Sequence, residues 1–177
     1  MTEENYVNGV TKTFNSQGNV KDLNHLILGV VSEIGEVIDL FKKHIGYGQE
    51  KNEEWLKQLR LEIGDCIWYT TMLQYYIGDS ISIYAEGTIE IVFDEMKASK
   101  TFLHNCNELL LKNHASPEFL TSIQNIVIML NFTAIAHDIE MEDVLISNLT
   151  KLQKRHGDKF NSDANMESGR NRNREEI

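Results

Sequence analysis

The chain has 177 residues, of which 41% are hydrophobic and 25% charged, and its formal net charge is −10. This composition supports a hydrophobic core and excludes an intrinsically disordered chain. The acidic balance argues against nucleic acid as the main partner, since a protein that binds a duplex needs a basic surface.

The N-terminal segment and the two cysteines predict a cytoplasmic protein. The first ten residues, "MTEENYVNGV", contain no basic stretch followed by an apolar one, so we expect no signal peptide. No uncharged apolar run approaches the roughly 20 residues of a membrane span, so we expect no contact with a membrane. Cys66 and Cys106 lack CxxC spacing and fall in apolar helical runs, which favours buried and reduced thiols.

Hydrophobic periodicity predicts an all-α protein, an antiparallel helical bundle. In chain order, we expect a short helix over 2–14 and a helix over about 23–45 that Asp22 could cap. After the glycine loop "GYGQEKN", a third helix is predicted from Glu53 to the break at Gly78.

The second half of the chain is less regular. Residues 80–115 favour a helix, although "SISIYAEGTIEIVF" is also compatible with a hairpin that turns at Glu86 and Gly87. Helices are then predicted over about 117–137, where Ser116 would be the cap, and over about 141–156. We expect one domain over 1–160 and a basic, flexible tail over 161–177.

Two pairs of acidic residues lie at the edges of apolar helix faces. Glu33 and Glu36 belong to the second predicted helix, and Glu62 and Asp65 to the third. The short loop between these helices predicts antiparallel packing, which pairs residues whose numbers have a constant sum. That sum is 98 for Glu33 with Asp65 and for Glu36 with Glu62, so the turn is centred on Gln49. The hairpin should therefore bring all four carboxylates to one level.

Four carboxylates at one level repel one another. Two unit charges 4 Å apart interact by about 4 kcal/mol at an effective dielectric constant near 20. Protonation, a cationic side chain or a metal ion would relieve this repulsion, and carboxylate oxygens are suitable ligands for Mg²⁺. The simpler interpretation is a solvated acidic helix face, but the matched register of the two pairs favours a metal site.

Three segments of the chain resemble the motifs of a known family. The "DLNHLILGVVSEIGEVIDLFKKHIGYG", "LRLEIGDCIWYTTML" and "SNLTKLQKRHGDKF" segments are similar, in this order, to the motif helices of the all-α nucleoside triphosphate pyrophosphatases, the MazG-like superfamily. Two features depart from that pattern. Residues of about 77–122 form an extra segment, which we interpret as an inserted helical element, and the ending "HGDKF" differs from the commoner proline-containing version.

The resemblance implies hydrolysis of a nucleoside triphosphate, as a rule a deoxynucleotide, to the monophosphate and pyrophosphate, in a homodimer or homotetramer. It implies that Mg²⁺, with Mn²⁺ as a substitute, is held by the catalytic carboxylates Glu33, Glu36, Glu62 and Asp65. It also implies a set of substrate contacts: Lys151, Lys154 and Arg155 at the phosphates, and Tyr69, His25 and Asn148 elsewhere on the nucleotide.

Two alternatives remain open from the sequence. One is a house-cleaning enzyme for a single nucleotide, of the dUTPase or dCTPase type. The other is a non-catalytic helical interaction protein whose acids are solvated and whose basic tail binds a partner. For the flanking residues we favour structural roles: Lys42 and Lys43 in surface ion pairs, and Trp55 and Trp68 in packing.

Overall fold

The computed structural model describes residues 1–84 and 93–156, without the side chains of Asn19 and His156. These two ranges contain six helices and no strand, so the predicted all-α class is confirmed. The helices are α1 (Glu3–Thr11), α2 (Asn19–Tyr47), α3 (Glu53–Ile77), α4 (Glu95–Leu111), α5 (Pro117–Ala136) and α6 (Met141–His156).

Local capping signals set several helix boundaries where the sequence predicted them. The side chains of Asn52 and Ser116 accept hydrogen bonds from backbone N–H groups in the first turns of α3 and α5. Gly48 and Gly78 follow α2 and α3 with φ angles of 68° and 72°, a left-handed conformation that favours glycine. The loop between α2 and α3 spans only residues 48–52, which is short enough for an antiparallel hairpin.

The prediction that Asp22 precedes α2 as its cap is wrong. The helix begins at Asn19, with Gly18 in the cap position, and Asp22 lies in the first turn of the helix. Its carboxylate instead accepts hydrogen bonds from the loop before the helix, from the backbone N–H of Gln17 at 2.6 Å and the hydroxyl of Ser16 at 2.5 Å. Because these donors precede the helix, the acid holds the loop against α2 and does not start it.

The centre of the bundle is α3, which packs against α1, α2, α5 and α6. Its most extensive partner is α2, and the two helices are antiparallel: the indole N–H of Trp55 donates to the carbonyl of Leu40 at 3.4 Å, near the turn. The second hairpin, α4 and α5, completes the core. Cys66 and Cys106 are buried and free, as predicted.

The segment that enters the predicted insertion is held by polar side chains. Gln74 accepts a hydrogen bond from the backbone N–H of Ser82 at 2.8 Å, and Glu3 accepts one from that of Ile83 at 2.7 Å. Asn131 donates to the carbonyl of Ile83 at 2.8 Å. These contacts tie the chain after α3 to both α1 and α5.

The helix favoured for residues 80–115 is present over Glu95–Leu111. Most of the alternative hairpin, with its turn at 86–87 and the predicted helical positions Ile89 and Val92, lies outside the described residues. The predicted tail over 161–177 also lies outside them.

Helix α5 is long and apolar enough to cross a membrane by length and composition alone, with a mean hydropathy of 1.6 over its most apolar window. The prediction that no run has this character is therefore wrong on this criterion. Half of that window is buried within the bundle, and buried helices of water-soluble proteins meet the same criterion.

Candidate metal centre

Three of the four predicted carboxylates meet between α2 and α3. Glu33, Glu62 and Asp65 each offer an oxygen atom that lies within 4.8 Å of those of the other two, and all three residues are half-buried. We call this group the carboxylate cluster. Glu36 is not a member of it, although its charge acts on Glu62. The predicted register is thus correct for Glu33 with Asp65, and the geometry brings three carboxylates together, not four.

Glu62 has a strongly perturbed carboxyl group. Burial, and then the charges of Asp65 and Glu33, raise its pKa to about 7, and Lys151 opposes this shift. At neutral pH this carboxyl group is therefore poised between its protonated and ionised forms. Such a pKa is typical of a group that exchanges a proton or binds a cation.

Asp65 carries two partners from α6. The ammonium group of Lys151 lies 2.5 Å and 2.6 Å from the two carboxylate oxygens, and its side chain is only 12% exposed. The amide Nδ2 of Asn148 donates to Asp65 Oδ1 at 2.9 Å. The resemblance implied that Lys151 and Asn148 contact the substrate; the structure places both on the carboxylate cluster.

Two glycines allow α6 to approach the cluster closely. A Cβ atom at Gly64 would lie 3.1 Å from Cβ of Asn148, and one at Gly9 would lie 2.8 Å from a methyl carbon of Leu149. Larger residues at these positions would push α6 away from α3 or α1. The absence of side chains at both positions therefore brings Asn148 within hydrogen-bonding distance of Asp65.

An aromatic wall stands beside the cluster. The ring of Tyr69 lies directly on the backbone of α2, where a Cβ atom at Gly29 would be 2.0 Å from its Cε1. His25 meets the same ring edge-on at 5.7 Å between centroids, and Trp68 meets it at 4.7 Å. Burial, and then the charges of Glu33 and Asp65, raise the pKa of Tyr69 to about 12, so its phenol is neutral.

An open cleft of about 490 Å³ lies along this wall. It is lined by His25, Leu28, Gly29, Val31, Ser32 and Tyr69, and we call it the aromatic cleft. Tyr69 lines the cleft, and the charges of Glu33 and Asp65 act on its phenol, so the cleft and the carboxylate cluster are neighbours. A ligand with a flat apolar end and a charged end would match this arrangement.

The remaining basic residues singled out from the sequence lie on two helices, Lys154 and Arg155 on α6 and Lys42 and Lys43 on α2. Arg155 acts electrostatically on Tyr69, whereas Lys154 is exposed on α6. Lys42 and Lys43 both pair with Asp39, as predicted for surface ion pairs.

Both tryptophans make the packing contacts that were expected of them. Trp55 is buried at 1% exposure, and the indole N–H of Trp68 donates to Thr13 Oγ1 at 3.0 Å.

Sequence reasoning missed Tyr6. It lies fully buried in α1, and its hydroxyl donates to Asn148 Oδ1 at 2.8 Å. The only local signal was its apolar spacing from Val10, which any buried aromatic residue shares. The contact spans 142 positions in the chain, so the bundle must be known before it can be found.

The carboxylate cluster fits a small divalent cation. Neighbouring ligands of an octahedral Mg²⁺ ion are about 3.0 Å apart and opposite ones about 4.2 Å, since each Mg–O distance is about 2.1 Å. Three oxygens within 4.8 Å of one another would have to move closer together by side-chain rotation to share one such ion. The donors are carboxylate oxygens, which suit Mg²⁺ or Mn²⁺ better than softer metals.

Comparison with known proteins gives no further assignment. No family model matches the chain, and no curated protein or solved structure is significantly similar to it. A functional assignment therefore depends on the geometry of the carboxylate cluster and aromatic cleft, together with the motif resemblance.

Proposed function

We propose that this protein is a Mg²⁺-dependent pyrophosphohydrolase that converts nucleoside triphosphates, as a rule deoxynucleotides, to the monophosphate and pyrophosphate. The observation that carries the proposal is the meeting of Glu33, Glu62 and Asp65 within 4.8 Å, next to the aromatic cleft. An acidic cluster alone is a weak sign of function. The cluster here is half-buried, one member has a pKa of about 7, and a lysine closes one side.

The chain's own residues would divide the chemistry between them. Glu33 and Asp65 would hold the cation, which when bound supplies charge neutralisation on the leaving pyrophosphate and a more acidic water. We assign Glu62 as the group that accepts a proton from that water, because its pKa of about 7 matches neutral pH. Lys151 would add positive charge on the phosphate side of the site.

The aromatic cleft would hold the nucleoside. The ring of Tyr69 and the imidazole of His25 offer flat surfaces for a base, and Leu28, which is 58% exposed, offers an apolar edge. The triphosphate would then extend toward the carboxylate cluster. Arg155, whose charge acts on Tyr69, would contact a phosphate, with the bidentate geometry that a guanidinium permits.

Pyrophosphate release from a panel of nucleoside triphosphates, with Mg²⁺ and with a chelator, tests the proposal. We expect Mg²⁺-dependent turnover, and a loss of at least about 100-fold in kcat in Glu33→Gln and Asp65→Asn. Asp39→Asn is the matched control, because Asp39 also lies on α2 but pairs with Lys42 and Lys43 on the surface.

The same panel separates the alternatives. Turnover of one nucleotide alone would assign the protein as a dedicated dUTPase or dCTPase, and turnover of several would assign a broader pyrophosphatase. Absence of turnover for every nucleotide would overturn the proposal in favour of a non-catalytic helical protein. Size measurement in solution, with and without nucleotide, would test the dimer or tetramer that the resemblance implies.

A further inference from the structure

We propose that Tyr6 is a positioning residue that acts through Asn148 to orient the carboxylate of Asp65 for cation binding. This inference rests on the proposed function, and it deepens it by adding α1 to the machinery of the site. None of the three motif segments includes α1, so the resemblance gives Tyr6 no role.

Two consecutive hydrogen bonds form a relay across three helices. The hydroxyl of Tyr6 on α1 donates to Asn148 Oδ1 on α6 at 2.8 Å, and Asn148 Nδ2 donates to Asp65 Oδ1 on α3 at 2.9 Å. Both Tyr6 and Asn148 are buried, at 0% and 2% exposure. The Tyr6–Asn148 hydrogen bond is therefore buried, where water competes poorly for it, and the Asn148–Asp65 bond is part-buried.

The chemistry of the partners fixes the direction of the relay. An ionised carboxylate only accepts hydrogen bonds, so the amino end of the Asn148 side chain must face Asp65. The carbonyl end then faces α1, and the group that meets it there must be a donor. The hydroxyl of Tyr6 supplies that donor. Burial, and then the charge of Asp65, raise the pKa of Tyr6 well above its usual value, so the hydroxyl keeps its proton.

The relay is built into the packing of the bundle. Gly9, one turn from Tyr6, lies against Leu149, and Gly64, next to Asp65, lies against Asn148. These two close approaches hold α6 near α1 and α3, and they place the Asn148 side chain between the phenol and the carboxylate. Without the phenol hydroxyl the carboxamide of Asn148 loses the hydrogen bond at its carbonyl end, and its orientation toward Asp65 is less restrained.

Tyr6 cannot act on a ligand directly, because its side chain is completely buried. Its effect must pass through Asn148, as do the outer hydrogen bonds that orient metal-binding side chains in other proteins. Loss of such a partner typically weakens metal affinity by about 10- to 100-fold.

The test is equilibrium binding of Mn²⁺ alone, followed by its paramagnetic resonance signal, in wild type and in Tyr6→Phe. We expect Tyr6→Phe to weaken Mn²⁺ binding by about tenfold or more and to lower kcat more than it changes KM. The matched control is Tyr84→Phe, whose hydroxyl donates to the carbonyl of Met1 at 3.1 Å, beside the same helix but away from Asp65. Tyr84→Phe should bind Mn²⁺ as wild type does.

A double-mutant cycle distinguishes positioning from general loosening of α1. Asn148→Ala should weaken Mn²⁺ binding by a factor similar to that of Tyr6→Phe, and the double variant should be no weaker than Asn148→Ala within about twofold. The NMR signals of the Asn148 side-chain amide should also shift in Tyr6→Phe and stay in place in Tyr84→Phe. If Tyr6→Phe does not fold, Asn148→Ala carries the test, and unchanged Mn²⁺ affinity in that variant overturns the relay.

Two negative results have different meanings. If wild type binds Mn²⁺ and hydrolyses nucleotides, but Tyr6→Phe matches Tyr84→Phe or adds fully to Asn148→Ala, the role of Tyr6 is refuted and the proposed function stands. If wild type neither binds Mn²⁺ nor hydrolyses any nucleotide, the proposed function fails and the relay toward a cation fails with it.

Discussion

The environment of the Glu62 carboxyl group and its proposed role favour opposite protonation states. The half-buried environment and the neighbouring charges of Asp65 and Glu33 favour its protonated form, and they raise its pKa to about 7. The role proposed for it, acceptance of a proton from water, needs the ionised form. Ionisation of Glu62 would therefore cost stability in the protein without a cation, a trade-off that is common at functional positions.

Replacement of this carboxyl group should stabilise the protein at alkaline pH. The folded-state pKa of about 7 lies above the usual 4.5, so the folded protein binds the extra proton between these values. Stability from this proton is present at pH 4.5 and is lost as the pH rises through 7. Glu62→Gln, which is always neutral, should therefore match wild type near pH 4.5 and exceed its free energy of unfolding at pH 8, while turnover is lost.

Urea denaturation at the two pH values, in the presence of a chelator, measures this difference. Glu54→Gln, an exposed substitution on the same helix, is the control. A variant Glu62→Gln that is less stable than wild type at pH 8 would contradict the assigned environment of this residue.

At the scale of residues, local patterns predicted the acids but not their partners. The spacing of Glu33 and Asp65 on two antiparallel helices was sufficient to place them together. The contact between Lys151 and Asp65 spans 86 positions and joins α6 to α3, so no local pattern records it. The sequence assigned that lysine to phosphate because cationic residues of a closing helix have that role in the family it resembles.

At the scale of elements, glycine decides how closely α2 and α3 pack. Gly29 lets the ring of Tyr69 lie on the backbone of α2, and this contact forms one wall of the aromatic cleft. Gly35 lies six residues further along the same helix, and nothing is within 4 Å of the position where its Cβ would be. These two glycines of α2 thus differ in their surroundings: Gly29 makes room for the Tyr69 ring, whereas Gly35 faces open space.

Substitution of each glycine by alanine should have opposite effects on stability. Gly29→Ala places a methyl group 2.0 Å from the Tyr69 ring and should lower the free energy of unfolding by about 1–3 kcal/mol, as overpacking does. Gly35→Ala should raise it by about 0.5–1 kcal/mol, because alanine is the better residue in a helix interior. Denaturant titration of both variants gives the comparison, and equal effects would show that Tyr69 does not lie where the structure puts it.

The elements themselves were largely predictable because their boundaries are local. Asn52, Gly78 and Ser116 mark helix ends through their own side chains or backbone conformation. Asp22 was misplaced because an acid near a helix start serves equally well as a cap or as an acceptor for the preceding loop. Its choice depends on the path of residues 16–18, which the sequence alone does not determine.

At the scale of the whole molecule, the carboxylate cluster exists only when the bundle is assembled. Its members come from α2 and α3, and the residues that surround Asp65 come from α6, which in turn packs on α1. A cation that binds the folded chain but not the unfolded one therefore stabilises the entire bundle by mass action.

Magnesium should raise the free energy of unfolding of the wild-type protein by about 2.7 kcal/mol at a concentration 100 times its dissociation constant. The net charge of −10 would also make any salt stabilising, so NaCl at matched ionic strength is the necessary control. Asp65→Asn should show only the effect of NaCl. An identical response of wild type and variant to Mg²⁺ would place the cation elsewhere on the acidic surface.

The contact between Gly29 and Tyr69 also has an evolutionary consequence. Because a methyl group on one helix would overlap the ring on the other, neither position can mutate freely while its counterpart stays the same. Lineages descended from a common ancestor with this chain should therefore covary here, with glycine retained wherever the aromatic ring persists. Any lineage that has exchanged the ring for a smaller side chain gains the freedom to replace the glycine.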